Sequence, residues 1–239
     1  MVTWNQSPFR SVRHHSIFLG LVAMAVLATF VTAPTVAGPV NPSVQRGNVT
    51  ITQDGNNFII TASDGSIINY DAFGILSNES IQFIQPGDFA RVLNRITGSD
   101  PTLIDGSLIS NGIVYIVNPA GVFFTQGSVV NVGGIYAAAG SITDADYIRN
   151  VNQFNNLSGT VRNDGFIQAG LAHLIGKNVA NHGTISAPGG VITMLAGDSV
   201  LIRQHGERIT IRIDGTNLDE VALSPEAQEN AYGVSGAQA

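Results

Sequence analysis

The chain contains no cysteine among its 239 residues, which excludes disulfides, cysteine-ligated metals and thiol chemistry. Charged residues are also scarce, at 12% against roughly 25% in an average soluble domain. The net charge of −6 leaves no basic stripe for a nucleic acid or an anionic membrane surface. The 27 glycines, in contrast, are numerous. Few charges and many turn residues predict an all-β domain of short stacked strands.

The N-terminus has the pattern of an export signal. Arg10 and Arg13 precede an apolar run from Ile17 to Val31. This run is shorter than the roughly 20 apolar residues that a membrane-spanning helix needs, so a cleaved signal peptide is favoured over the alternative, an uncleaved membrane anchor. Small residues allow cleavage after Ala33 or after Ala37, and we predict the second site.

The next part of the chain shows strand patterns separated by turns. Apolar and polar residues alternate from Asn48 to Ile60 on both sides of Asp54-Gly55, which predicts a hairpin or a tight strand corner. A single helical turn is predicted from Asp88 to Leu93. Beyond Gly98 turn pairs recur at short intervals with Ile, Val and Phe between them, which predicts short strands joined by corners.

An internal repeat gives the clearest evidence of architecture. The nine residues from Val161 to Ala169 recur eighteen residues later, from Val179 to Ala187, with Val, Asn, Gly, Ile and Ala identical. A unit this small cannot bury its own apolar face, but stacked copies form a continuous core, as in a β-helix. A β-sandwich and a propeller are the alternatives, and the short period favours the β-helix.

The repeat also predicts which residues stack. Val161 should lie over Val179 and Ile167 over Ile185, both pairs facing inward, and replacing Ile185 by Ala should cost roughly 2 to 5 kcal/mol. The repeated Asn is expected to form a hydrogen-bonded ladder at its corner. The repeat is lost after Asp214. We therefore predict a signal peptide (1–37), a β-helical domain (38–214) and a flexible C-terminal tail (215–239).

Several motifs follow one another between Ile81 and Tyr147, and their order is distinctive. They are Gln85-Pro86, the run from Arg91 to Gly98 (RVLNRITG), Gly106-Ser107-Leu108, Asn118-Pro119-Ala120-Gly121-Val122 with Phe124, and Val130-Asn131-Val132-Gly133-Gly134. This order resembles the N-terminal haemagglutination-activity domain of filamentous haemagglutinin and other two-partner-secretion exoproteins. With the upstream strands and downstream repeats, the resemblance extends over residues 48–214.

The resemblance implies a fold, a partner and a location. The fold would be a right-handed parallel β-helix with N-terminal capping strands, serving as a secretion signal. The implied partner is an outer-membrane β-barrel transporter whose periplasmic domains bind that signal. The chain would then be secreted or displayed at the cell surface, acting as an adhesin with a cell-surface or carbohydrate ligand.

The resemblance also singles out candidate recognition residues. Asn118, Pro119 and Gly121 would shape a corner that the transporter recognises, and Pro and Gly at these positions suit a type I turn. Asn94 and Arg95 are candidates for the same contact, or alternatively part of a cap over the first turns. The family's Asn-Pro-Asn-Gly corner has Ala120 in third position here, and an Asn-Pro-Asn-Leu tetrad found in some members is absent.

A second function from another class is a secreted β-helical carbohydrate-active enzyme, either a polysaccharide lyase or a hydrolase. Glycoside hydrolysis needs two carboxylates roughly 5 to 9.5 Å apart, one of them with a raised pKa. Between Gly98 and Tyr147 the closest pairs are Asp100 with Asp105 and Asp144 with Asp146, while Asp164 sits at a repeat corner and is interpreted as a solvated turn residue. We favour a non-enzymatic role, and a concave wall with clustered carboxylates would favour the enzyme.

Three histidines, His173, His182 and His205, follow the export signal without the spacing of metal ligands, and we predict corner or surface positions for them. Phosphate-binding loops, dinucleotide fingerprints and nucleophile elbows are absent from the sequence. No metal site and no cofactor are predicted.

Overall fold

Short strands make up most of the chain in the computed structural model, which describes residues 38–205 and 208–215. The predicted signal peptide (1–37) and nearly all of the predicted tail lie outside the described residues. The strands, in chain order, are β1 (Pro39–Val40), β2 (Ser43–Arg46), β3 (Val49–Asp54), β4 (Asn57–Ala62), β5 (Ser66–Tyr70), β6 (Ala72–Phe73), β7 (Ser80–Ile84), β8 (Arg91–Ile96), β9 (Thr102–Ile104), β10 (Ser107–Ser110), β11 (Ile113–Val117), β12 (Val122–Phe124), β13 (Val129–Ala138), β14 (Asn152–Phe154), β15 (Thr160–Asn163), β16 (Phe166–Gly176), β17 (Asn178–Asn181), β18 (Thr184–Ser186), β19 (Val191–Ala196), β20 (Ser199–His205) and β21 (Arg208–Asp214). A short helix, α1 (Asp144–Ile148), lies between β13 and β14.

Three stacks of parallel strands build the domain. Stack I contains β4, β7, β10, the first half of β13, the first half of β16, and β18. Stack II contains β5, β8, β11, the second halves of β13 and β16, and β19. Stack III contains β9, β12, β15 and β17. Successive strands of each stack belong to successive turns of the chain, so the predicted parallel β-helix is confirmed.

Antiparallel strands close the N-terminal end. Strand β2 pairs with β5 at the start of stack II, and β3 pairs with β4 at the start of stack I. The predicted hairpin at Asp54-Gly55 is confirmed, because β3 and β4 are joined by a two-residue turn in which Gly55 has φ of 56°. The predicted capping strands are therefore present, and they cover backbone edges that would otherwise be open at this end.

The interior consists of columns of apolar side chains in register. In stack I the column contains Phe58, Ile81, Leu108, Val130, Ile167 and Ile185. In stack III, Val122, Val161 and Val179 lie one above another. Both predicted pairings are confirmed. Ile167 and Val161 are fully buried, but Ile185 and Val179 are only partly buried because they belong to the last parallel turn of the described chain.

A second apolar cluster lies on the outer face of stack II. The segment 139–159, which contains α1 and β14, packs over this face together with the β20–β21 hairpin. Tyr115 and Tyr136 of the stack contact Tyr147 and Phe154 of the segment. The β-helix is thus covered on one side by non-repetitive chain, which turns an outer sheet face into a buried one.

The position of the helix differs from the prediction. The predicted helical turn from Asp88 to Leu93 is wrong, because residues 88–90 form a turn and β8 begins at Arg91, where it pairs with β5 and β11. The described helix is α1, whose N-cap residue Thr143 accepts a hydrogen bond from the backbone N of Asp146 through Oγ1. In the described residues no helix is long and apolar enough to cross a membrane.

Candidate functional site

The predicted recognition corner joins β11 of stack II to β12 of stack III. Asn118 is fully buried there, and its Oδ1 accepts a hydrogen bond of 2.9 Å from the backbone N of Ala120. The backbone N of Gly121 donates to the carbonyl of Asn118 over 3.0 Å. These two bonds close a tight turn within four residues, as expected of an Asn that bonds its own backbone two residues on.

Asn118 also ties the corner to the preceding turn of the β-helix. Its Nδ2 donates to the carbonyl of Asp100 over 2.9 Å and to Oγ1 of Thr102 over 3.1 Å. Asp100 is 18 residues and Thr102 is 16 residues away from Asn118 in sequence, so these bonds exist only in the folded domain. Asn118 therefore makes one local set of bonds and one long-range set.

The rest of the corner is fixed by close packing from the following turn. Gly121 has φ of 122°, and a Cβ there would lie 2.8 Å from the ring of Phe123 and 2.9 Å from the carbonyl of Thr160. The Oγ of Ser158 donates to the carbonyl of Pro119 over 3.2 Å. Only Pro119 and Ala120 are exposed. A partner of the folded domain therefore meets these two side chains and not Asn118.

Asn94 lies in the interior, on the strand below β11. It is fully buried between Ile68 and Ile116 in register. Its Oδ1 accepts from the hydroxyl of Tyr70 over 3.0 Å, and its Nδ2 donates to the carbonyl of Tyr115 over 3.1 Å. Both polar groups of the Asn94 side chain have a partner inside the core, so Asn94 is out of reach of any partner once the domain has folded.

Arg95 faces the other side of the same strand. It pairs in register with Val117, the residue before Asn118, so the candidate residues lie on adjacent turns. Its Nη2 donates to the carbonyl of Ile142 over 3.0 Å and to Oδ1 of Asp144 over 2.6 Å. The Arg95 side chain is 20% exposed. In the folded domain Arg95 therefore holds the start of the 139–159 segment against stack II.

An aromatic column that the sequence patterns did not predict lies beneath this segment. The rings of Tyr115 and Tyr136 stack with centroids 4.2 Å apart, and His173 follows at 4.5 Å from Tyr136. His173 is 2% exposed and its Nδ1 lies 2.7 Å from Oγ1 of Thr193. Burial lowers the pKa of His173 to about 4. It also raises the pKa of Tyr115.

The predicted surface position of His173 is therefore wrong. Strand alternation puts His173 on the outer face of β16, but the 139–159 segment and the β20–β21 hairpin cover that face. His182 does lie at an exposed corner, with its Nδ1 3.0 Å from Oδ1 of Asp164. The side chain of His205 lies outside the described residues.

Three of the candidate carboxylates serve as turn or ion-pair residues. Asp105 accepts from the hydroxyl of Thr125, and Asp144 pairs with Arg95. Asp164 pairs with Arg162, and the hydrogen bond from Arg162 lowers the pKa of the Asp164 carboxyl, the opposite of what a general acid requires. Within residues 38–205 and 208–215, no three His, Asp or Glu side chains are placed to hold a metal ion. This arrangement gives no support to the enzyme alternative.

Comparison with known proteins identifies relatives. The family model of the TPS secretion domain matches residues 36–237. A heme/hemopexin-binding protein of Haemophilus influenzae strain Rd is 30% identical over 210 residues, which is 86% of this chain and 21% of that protein. A second heme/hemopexin-binding protein of Haemophilus influenzae is 32% identical over 141 residues, 57% of this chain and 15% of that one. This chain thus spans about a fifth or less of the curated relatives.

A solved structure gives the same architecture. The crystal structure of the HMW1 secretion domain from Haemophilus influenzae superposes with a TM-score of 0.69 at 30% identity. The match covers 75% of this chain and 50% of that one.

Proposed function

Because the chain belongs to the TPS secretion domain family, we propose that it directs export through a partner outer-membrane transporter whose periplasmic domains recognise the corner from Asn118 to Gly121. The observation that supports this role for the corner is its local bonding. The bonds from Ala120 N to Asn118 Oδ1 and from Gly121 N to the Asn118 carbonyl need no other part of the fold. Pro119 adds a fixed φ. This turn can therefore form in a chain that has not yet folded.

Recognition of an unfolded chain needs both affinity and register. A periplasmic domain that adds the extended chain to the edge of its own sheet gains main-chain hydrogen bonds, which are independent of side chains. A preformed turn at a defined position would set the register of that pairing. The flanking β11 and β12 sequences, rich in Val, Ile and Phe, are suited to strand addition on either side of the turn.

In this proposal Asn94 and Arg95 contact the transporter only before folding. Asn94 is fully buried in the folded domain, and the Arg95 guanidinium is bonded to Ile142 and Asp144. Release from the transporter would then coincide with folding, because the same side chains exchange a partner contact for an internal one. The adhesive role and the carbohydrate ligand stay predictions.

Two substitutions separate recognition from folding. Pro119→Ala removes the fixed φ from an exposed residue whose backbone carbonyl still accepts from Ser158, so it should reduce secretion with little change in stability. Asn118→Asp keeps the acceptor for Ala120 N but loses the donor to Asp100 and Thr102, so it should destabilise the domain while preserving the local turn.

The experiment measures the secreted fraction in cells that carry the partner transporter, and the urea midpoint of the refolded full chain. Reduced secretion of Pro119→Ala with a normal midpoint supports the proposal. Normal secretion of Pro119→Ala would remove the corner from the recognition site. Ala120→Asn, which restores the family's Asn-Pro-Asn-Gly corner, serves as the control and should secrete at least as well as the wild type.

A further inference from the structure

A cleft of about 300 Å³ opens where the 139–159 segment meets the outer face of stack II. Its apolar lining comes from Ile113 and Leu171, which lie two turns of the β-helix apart with Gly134 between them in register, and from Tyr115 and Tyr136. Phe89, Arg91, Asn150 and Asn152 complete the lining. The cleft lies on stack II rather than at the Asn118 corner, and it plays no part in the proposed recognition of the transporter.

The polar wall of the cleft is held rigidly. Asn152 is 5% exposed, and its Oδ1 accepts from the hydroxyl of Tyr115 over 2.9 Å. Its Nδ2 donates to the hydroxyl of Tyr136 over 3.3 Å. The two tyrosine rings are stacked and nearly parallel, at 6°. Groups held in this way lose little conformational freedom when a ligand binds.

In the described part of the chain the Arg91 guanidinium forms no ion pair with a carboxylate, and the nearby Asp64 carboxylate accepts instead from the backbone N of Arg91 over 2.9 Å. Its Nη1 donates to the carbonyl of Tyr147 over 3.0 Å and to Oδ1 of Asn150 over 2.8 Å, which are both uncharged acceptors. The guanidinium lies 5.0 Å from the centre of the Tyr147 ring. The ion pairs among the described residues do not include Arg91, and the lining of the cleft contains no acidic side chain. The cleft therefore favours an anion.

Phe89 adds an exposed aromatic ring to the same cleft. It is 89% exposed, whereas the other exposed large hydrophobic residues in the described chain reach at most 49%. It lies on the turn between β7 and β8, two residues before Arg91. A ring beside an apolar floor and a cation can add apolar contact area to a bound ligand.

We propose that this cleft binds a carboxylate carried on a small apolar group, with the carboxylate at Arg91 and the apolar group between Phe89 and the Ile113–Leu171 floor. Guanidinium groups bind carboxylates with two parallel hydrogen bonds, and among the described residues the Arg91 side chain donates only through Nη1, which leaves Nη2 and Nε as donors. The volume is at the lower end of ligand pockets, so it suits one ring with its acid group. A free aromatic acid and the C-terminus of a peptide that ends in Phe both have this chemistry.

Titration calorimetry on the full chain tests the proposal with matched pairs of probes. Phenylacetate is compared with phenylacetamide, and N-acetylphenylalanine with its amide, so that each pair differs only in charge. Both acids should bind, with each amide weaker by about tenfold or more. Tighter binding of N-acetylphenylalanine would indicate a peptide C-terminus as the source, and tighter binding of phenylacetate a free acid.

Variants locate the binding. Phe89→Ala alters an almost fully exposed side chain, so the fold should survive, and acid binding should weaken about tenfold or more. Arg91→Gln should abolish the preference for acid over amide. Arg149→Gln, at a 68% exposed arginine that does not line the cleft, is the control and should leave binding unchanged.

Several outcomes would overturn the proposal. One is the lack of saturable acid binding below about 10 mM, an affinity too weak to matter. Another is equal binding of acids and amides. A third is unchanged acid binding in Phe89→Ala, which keeps the test decisive even if Arg91→Gln fails to fold.

Discussion

Asn163 and Asn181 occupy the same corner of successive turns, and Nδ2 of Asn163 donates a hydrogen bond of 2.8 Å to Oδ1 of Asn181. This contact confirms the predicted Asn ladder. Asn163 is fully buried and its Oδ1 also accepts from the backbone N of Gly165, whereas Asn181 is exposed. The two residues of one ladder therefore differ in what they contribute to stability.

Replacing Asn163 by Ala should lower the free energy of unfolding by about 1 to 3 kcal/mol, because the buried N of Gly165 loses its acceptor. Asn181→Ala should cost less than about 1 kcal/mol, because Asn181 is exposed and Nδ2 of Asn163 keeps the carbonyls of Gly165 and Thr184 as acceptors. Urea denaturation of both variants provides the measurement. Equal costs would show that the corner is solvated at both levels.

The Ile column should show a gradient of stability along the β-helix. Ile167→Ala should cost roughly 2 to 5 kcal/mol, because Ile167 is fully buried. The sequence repeat predicts the same cost for Ile185→Ala, but partial burial in the last described parallel turn lowers our expectation to about half that value. Urea midpoints of both variants test this, and an equal cost would mean that Ile185 is buried as fully as Ile167.

Gly121→Ala should destabilise the domain by more than about 1 kcal/mol, because φ of 122° is unfavourable for alanine and the Cβ would meet the carbonyl of Thr160. Gly87→Ala is the matched control, since a Cβ there meets nothing within 4 Å. Thermal unfolding of both variants gives the comparison. A stable Gly121→Ala variant would show that the corner can relax without loss.

Stability should fall as the pH is lowered from about 6.5 to 4, the window set by His173. Burial holds the pKa of His173 at about 4, below the unfolded value of 6.5, so the unfolded chain binds the additional proton in this window. The shift corresponds to a loss of about 3 kcal/mol when it is fully expressed.

The measurement is the pH dependence of the urea midpoint. His173→Gln should flatten the wild-type slope between pH 4 and 6.5. Parallel slopes for the wild type and His173→Gln would mean that His173 titrates normally and that the cluster on stack II opens readily.

The sequence by itself determined the repetitive part of this protein. The eighteen-residue repeat predicts that Val161 stacks on Val179, and the Asp54-Gly55 pattern predicts the β3–β4 hairpin; both are present in the structure. Both features are encoded locally, since a β-helix places each residue against its equivalent one turn away and a two-residue turn depends on its own φ angles. The order of motifs likewise indicated the family before any geometry was known.

Only the tertiary structure decided which sheet faces are covered. The pattern of β16 shows alternation but not that the 139–159 segment and the β20–β21 hairpin bury His173 on its outer face. Because the 139–159 segment covers this face, Arg95 contacts Asp144 within the domain, and a cleft forms beside Arg91. Strand periodicity specifies two faces and leaves open what packs on each, because that depends on contacts between segments far apart in the chain.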